Sequence, residues 1–210
     1  MPTHATTATV PPPPSHRPAP TTPGPGSMLA TAADLVATGL EQALAAARSG
    51  DATAARRVVR GSGRRRLACR RADCCARVRV AASSPSPRSL PRTASELRLV
   101  AELDHLGGLV DSLARQVAGG ALPPAAVARL AGDLDVMASC GVARLRRLSV
   151  LRGPDMDAGY RHDGESLRAV LDHLPAVADA SSPRTPQPAL TCRRIVESVL
   201  AASSLAARVV

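Results

Sequence analysis

Apolar residues return every three or four positions over most of this chain. The clearest run covers residues 95–118, where Leu97, Val100, Leu103, Leu106, Val110, Leu113 and Val117 form one stripe. That spacing predicts an amphipathic helix. Thr93 and Glu96 stand ahead of it at capping-box spacing. Gly119 and Gly120 end it, and Pro123 with Pro124 open the next helix. This fourth helix is predicted to reach about Val150, with Val127, Leu130, Leu134, Met137, Val142, Leu145 and Leu148 inward. Upstream, Leu35, Val36, Leu40 and Leu44 mark a first helix ending at Gly50, and Asp51 is placed to cap a second. Downstream, a fifth helix is predicted over 155–174, after a break at Gly153 and Pro154. A loop over 180–188 precedes a sixth helix from Ala189, with Leu190, Ile195, Val199, Leu205 and Val209 inward.

Six helices divided at Gly119–Pro124 predict an all-α chain of two tandem three-helix bundles, residues 28–120 and 121–210, since short connections force antiparallel neighbours. Residues 1–27 are rich in Pro, Thr and Ala, with the run Pro11 to Pro14. Such a stretch buries too little apolar surface to order itself and reads as a disordered tail. Met28, where the helical pattern starts, is a second candidate for the start of translation.

Composition sharpens this. The chain lacks Phe, Trp, Lys and Asn, and Tyr160 is its one aromatic residue. All 27 basic residues are Arg, and the net charge is +10. Aromatic base-stacking platforms are thereby excluded, and an all-β sandwich is disfavoured. Five cysteines without a regular framework fit a reducing compartment. No apolar run is long enough to cross a bilayer. These features predict a cytoplasmic protein without membrane insertion.

The residues then suggest a family. The stretch Ala94-Ser-Glu-Leu-Arg-Leu-Val followed by Ala101-Glu-Leu-Asp-His-Leu-Gly-Gly is similar to the third helix of the PhoU family, "A-S-D-L-R-x-V" then "A-D-x-E-R-[IM]-G-D". The opening Ala32-Ala-Asp-Leu-Val through Ala47-Arg-Ser-Gly-Asp-Ala-Thr-Ala-Ala resembles that family's first helix. Arg152 to Asp163 and Arg194-Ile-Val-Glu-Ser-Val-Leu-Ala resemble segments of its second repeat, in the same order. The resemblance implies two three-helix bundles, often dimeric, that restrain phosphate uptake and phosphate-responsive signalling without catalysis. It implies two partners, a phosphate-sensing histidine kinase and the ATPase of a phosphate importer.

It also implies a metal cluster held by an acidic pair at i and i+4 in each repeat, where two carboxylates on one helical face converge on a cation. Here the pairs are incomplete. Asp104 keeps the first acid and Gly108 replaces the second; Glu197 remains and Ala201 replaces its partner. Asp104 and Glu197 are thus remnants of a site for a divalent or iron-type cluster, and a resident cofactor is not expected.

Residues 56–80 carry ten Arg against one acid, Asp73. Such a run suggests phosphate or nucleic-acid contact, or a solvated helix face. Residues 81–93 read as poor helix where the resembled family continues "L-L-A-L-x-x-P-V-A-x-D-L-R". In GC-rich codons, reading from the third base turns Ser83, Ser84, Pro85 and Ser86 into Leu/Val, Leu/Val, a small residue and Leu/Val. A compensated frameshift over about 60–93 would then explain the Arg excess, the cysteine cluster and a lost second helix. On that reading the chain is a decayed paralogue.

Other constellations are weak. Cys69, Cys74 and Cys75 lack paired metal-ligand spacing. Cys140 and Cys192 are expected as small core residues. Neighbours Asp104–His105 and His162–Asp163 point about 100° apart on a helix and do not pair. Arg144, Arg146 and Arg147 suit the negative end of the fourth helix. No nucleophile elbow, P-loop or dinucleotide fingerprint occurs.

Overall fold

The computed structural model describes residues 25–82, 90–149, 157–179 and 186–209, and all of the regular structure among them is helical. Helix α1, Pro25–Ser49, buries Ala33, Val36, Ala37, Leu40, Ala43 and Leu44 along one face. Gly50 takes a left-handed φ of +65° and the Asp51 amide donates back to Ala46 O at 3.1 Å, closing α1 as the sequence predicts. Asp51 Oδ1 then accepts from the amides of Thr53 (2.8 Å) and Ala54 (2.9 Å), capping α2, Ala52–Arg60. These contacts, led by the Ala54 amide, hold the Asp51 carboxyl below its ordinary range.

The expected loss of the second helix is not found. After one irregular residue, Gly61, α3 continues over Ser62–Ala82 and packs on α1 and α4. The arginine-rich run supports a helix because Ala55, Val58, Arg65, Cys69, Ala72 and Ala76 recur at helical spacing and are all buried. Small residues let α3 approach its neighbours while the remaining arginines point outward. Residues 83–89, which carry the out-of-register reading, lie outside the described residues, as does the break at Gly153 and Pro154.

Helix α4 spans Leu90–Ala118. It starts before Thr93, so Thr93 and Glu96 do not form the expected capping box; Glu96 instead pairs with Arg79 of α3. The buried stripe is also shifted at its start: Leu99 is buried and Leu97 only half-buried. Gly120, at φ +72°, and a bond from the Ala121 amide to Gln116 O (2.9 Å) end α4. The predicted fourth helix is α5, Pro124–Val136, and α6, Val142–Ser149, joined by a π-helical turn over Met137–Gly141. Helix α7 covers Asp157–Asp179 and α8 covers Pro186–Ala206. Leu190, expected inward, is 45% exposed.

The two halves meet in one core. Helix α4 lies most closely against α8, and α1 against both α4 and α6. Leu44, Leu103, Leu106, Leu145, Leu174, Ile195 and Val199 belong to the same buried cluster. No helix among the described residues is long and apolar enough to cross a membrane.

Candidate functional site

The acidic remnants stand apart from one another in chemistry. Asp104 and Glu197 are both exposed, on α4 and α8. Glu197 accepts from Arg193 Nε at 3.0 Å, one turn back on its own helix. Among the described residues no three His, Cys, Asp or Glu side chains gather as metal ligands. With Gly108 and Ala201 in the second positions, the donor set does not fit a multi-ligand cluster.

The cysteines of α3 diverge. Cys69 is buried, Cys74 is exposed, and Cys75 is half-buried with its thiol 3.2 Å from Met28 Sδ. Steps of five and six residues rotate these side chains to different faces, so they do not converge on one ion. Burial, helped by the charge of Asp104, pushes the Cys69 thiol up to about 12. Burial, helped by Asp133, does the same for Cys192, also to about 12. Cys140 is half-buried. At pH 8, a thiol titrating near 12 is ionised in only about one molecule in ten thousand. Brief iodoacetamide treatment of the native chain is therefore expected to label Cys74 first and to label Cys69 and Cys192 only after unfolding. Peptide mass spectrometry reads the order; early labelling of Cys192 would contradict the buried assignment.

One His–Asp pair escaped the sequence reading because its members lie on different helices. His173 of α7 reaches Asp133 of α5 at 2.9 Å through Nδ1. Asp133 is buried and also acts on Cys192. The trio is unsuited to nucleophilic catalysis, since the Cys192 thiol is buried and held protonated rather than activated. His105 and His162 are exposed, and Asp163 pairs with Arg147 at 2.6 Å. Arg146 pairs with Glu41 at 2.6 Å, so the arginines of α6 tie helices together beyond any interaction with the helix dipole.

The dominant feature is the basic face of α2 and α3. Arg56, Arg57, Arg60, Arg64, Arg70 and Arg71 are exposed and form no ion pair with a described residue. Arg77 is held by Asp73 (2.7 Å) and Arg79 by Glu96. One arginine of the run points inward. Arg65 is 6% exposed, pairs with Asp111 of α4, and donates from Nη2 to Val58 O at 2.8 Å. Its stem crosses Gly39 of α1, where a Cβ would stand 2.9 Å from Arg65 Cδ. The buried pair thus fastens α3 to α4, and the bare backbone of Gly39 makes room for it. Beside this face, between α2 and the end of α4, lies a groove of about 700 Å³ bordered by Arg56, Arg60 and Arg115 over Val59 and Ala118.

Comparison of the chain with protein-family models gives no match, and neither curated proteins nor solved structures match it.

Proposed function

We propose that this chain is a non-catalytic regulator of phosphate uptake and phosphate-responsive signalling that works by contact with partner proteins, as the resemblance to the PhoU family implies. Its partners on this reading are a phosphate-sensing histidine kinase and the ATPase of a phosphate importer. It acts in the cytoplasm and pairs as a homodimer. The observation that carries the reading is the α4 segment: Ala94 to Gly108, the stretch most like that family, buries Leu99, Val100, Leu103 and Leu106 in the core. Sequence likeness therefore falls on a segment whose apolar face is buried. The contact surface on this reading is the arginine face of α2–α3 with its adjoining groove, which suits an acidic, partly apolar partner.

The test is capture with the full-length chain from phosphate-replete and phosphate-starved cells of the source organism. Enrichment of the kinase or the ATPase in the replete sample is expected. Absence of both under either condition would overturn the reading.

The six exposed arginines that form no ion pair with a described residue favour a second reading, binding to nucleic acid through phosphates. Such binding weakens steeply with salt, by a log–log slope of about −0.9 per phosphate neutralised on duplex DNA. Fluorescence anisotropy with duplex DNA and RNA from low to physiological salt decides it: no binding at low salt removes this reading.

A further inference from the structure

Helix α3 carries a second stripe, on the side away from the core. Leu67 is 49% exposed and Val78 60%, and Cys74 between them is exposed as well. Each stands two residues after a buried residue of the inward stripe, Arg65, Ala72 and Ala76, a rotation of about 200°. Arg64 and Arg71, both exposed, complete the row Arg64, Leu67, Arg71, Cys74, Val78, whose steps of three and four are those of a coiled-coil seam. Helix α1 widens the row on one side. A groove of about 280 Å³ runs between the two helices, with Met28, Leu35, Leu67 and Ala68 in its apolar lining and Arg64 and Arg71 beside them.

Large aliphatic side chains that stand in a row with about half or more of their surface in water mark a contact site. The spacing fits one helix laid along another. The charges choose its chemistry. Arg64 and Arg71 form no ion pair with a described residue. Asp73, the acid of α3, is held by Arg77 at 2.7 Å, and Asp34 of α1 is exposed outside the groove's lining. Residues 1–24 and 83–89, which adjoin α1 and α3 in the chain, contain no Asp or Glu. A second copy would therefore set arginine against arginine along the seam, and like charges facing across an interface are unfavourable. Nucleic acid would satisfy the arginines but leave Leu67 and Val78 without apolar partners.

We infer that the outer face of α3, with the groove beside α1, docks an amphipathic helix of a partner protein that presents aliphatic residues at spacing i, i+3, i+4, i+7 and carboxylates beside them. The inference rests on the arginine face being a protein contact surface; it needs neither the kinase nor the ATPase to be the partner.

The probe is a synthetic helical peptide with Leu on one face and Glu beside it, and the control is a peptide of the same composition in scrambled order. Fluorescence anisotropy with the full chain is expected to show binding of the first at micromolar concentration and about tenfold weaker binding of the second. Leu67→Ser with Val78→Ser is expected to weaken the amphipathic peptide about tenfold. Arg64→Ser with Arg71→Ser is expected to weaken it too and to reduce its salt dependence. All four side chains are exposed, so the melting temperature is expected to hold. Leu190→Ser, at an exposed leucine of α8, is expected to change nothing. Bound peptide is also expected to slow iodoacetamide labelling of Cys74 and to leave that of Cys140 unaffected. No binding, equal binding of the two peptides, or indifference to Leu67→Ser with Val78→Ser overturns the inference, as does tighter binding of duplex DNA that those two changes leave intact. A dimer by light scattering that the same two changes dissolve assigns the face to a second copy and overturns it as well. Peptide binding that passes these tests while the kinase and ATPase are never captured removes only their identity as partners; failure of the peptide with capture intact removes only this seam.

Discussion

Asp111→Ala is expected to destabilise the chain by about 3–5 kcal/mol, the usual cost of removing one partner from a buried ion pair. Asp111 is 1% exposed and Arg65 6%, so solvent cannot replace the lost carboxylate. The Arg65 charge would remain inside, held by one carbonyl, that of Val58. Its Nε already lacks a hydrogen-bond partner, so the site has no spare acceptor. Arg66, whose Nη2 lies 4.0 Å from the same carboxylate, loses its partner as well. Domains of this kind are stable by about 5–15 kcal/mol in total, so the loss takes a large share of that margin. Urea unfolding followed by circular dichroism measures it. Asp111→Asn retains a carbonyl acceptor and is expected to lose less. The double change Arg65→Met with Asp111→Leu removes the charges together and is expected to recover most of the stability. If the single and double variants are equally destabilised, the pair matters through shape and not through charge.

That pair also shows what the sequence could and could not reveal. The arginine run was legible as a basic surface, and nine of its ten arginines are exposed. The tenth, Arg65, takes its inward position from Asp111, 46 residues further along, and from the missing side chain of Gly39. Neither determinant is local. Helix ends were read correctly where local chemistry sets them, as at Gly50, Asp51 and Gly120. The predicted cap at Thr93 failed because the helix already begins at Leu90, and a contact across to Arg79 claims Glu96. The second helix was misjudged for a similar reason. Its exposed arginines hide a buried stripe made mostly of small residues, Ala55, Cys69, Ala72 and Ala76, with Val58 and Arg65 among them. The π turn at Met137–Gly141 has no pattern of its own, because it adds one residue to an otherwise continuous apolar repeat.

The surroundings of Arg144 were hidden in the same way. Arg144, Arg146 and Arg147 look alike in sequence as cations near a helix end. The structure gives them three different surroundings: Ser203 for Arg144, Glu41 for Arg146 and Asp163 for Arg147. Gly164, which admits the first of them, looks like a weak point in a helix until its neighbour is known. Both halves therefore use one device, a buried guanidinium laid across a helical glycine. Arg65 crosses Gly39 in the first half, and Arg144 meets Gly164 in the second. In a chain whose one aromatic residue is Tyr160, the long arginine stem supplies bulk that aliphatic side chains alone do not, while the charged head needs an oxygen acceptor.

Cutting the chain at Gly119–Gly120 is expected to abolish folding of both pieces. The sequence divides there, but the packing does not. Helix α4 of the first half lies against α8 of the second, and α1 against α6. Gln116 Nε2 donates to Thr191 Oγ1 at 2.9 Å, and the Ser198 hydroxyl donates to Glu102 across the same junction. Helix α8 contributes Cys192, Ile195, Val196, Val199, Ala202 and Ala206 to the shared cluster. A fully buried Val, Leu or Ile is worth roughly 1.5–3 kcal/mol, so exposing even four or five of them on each fragment exceeds the margin of a small domain. Fragments 25–120 and 121–210 are therefore each expected to lack a cooperative urea transition. Expressed together, they are expected to associate and regain both helical signal and a single transition, because the surfaces that each leaves bare match one another. A cooperative transition in the first fragment alone would show instead that α1–α4 form a self-sufficient unit, and that α8 merely rests on a finished surface.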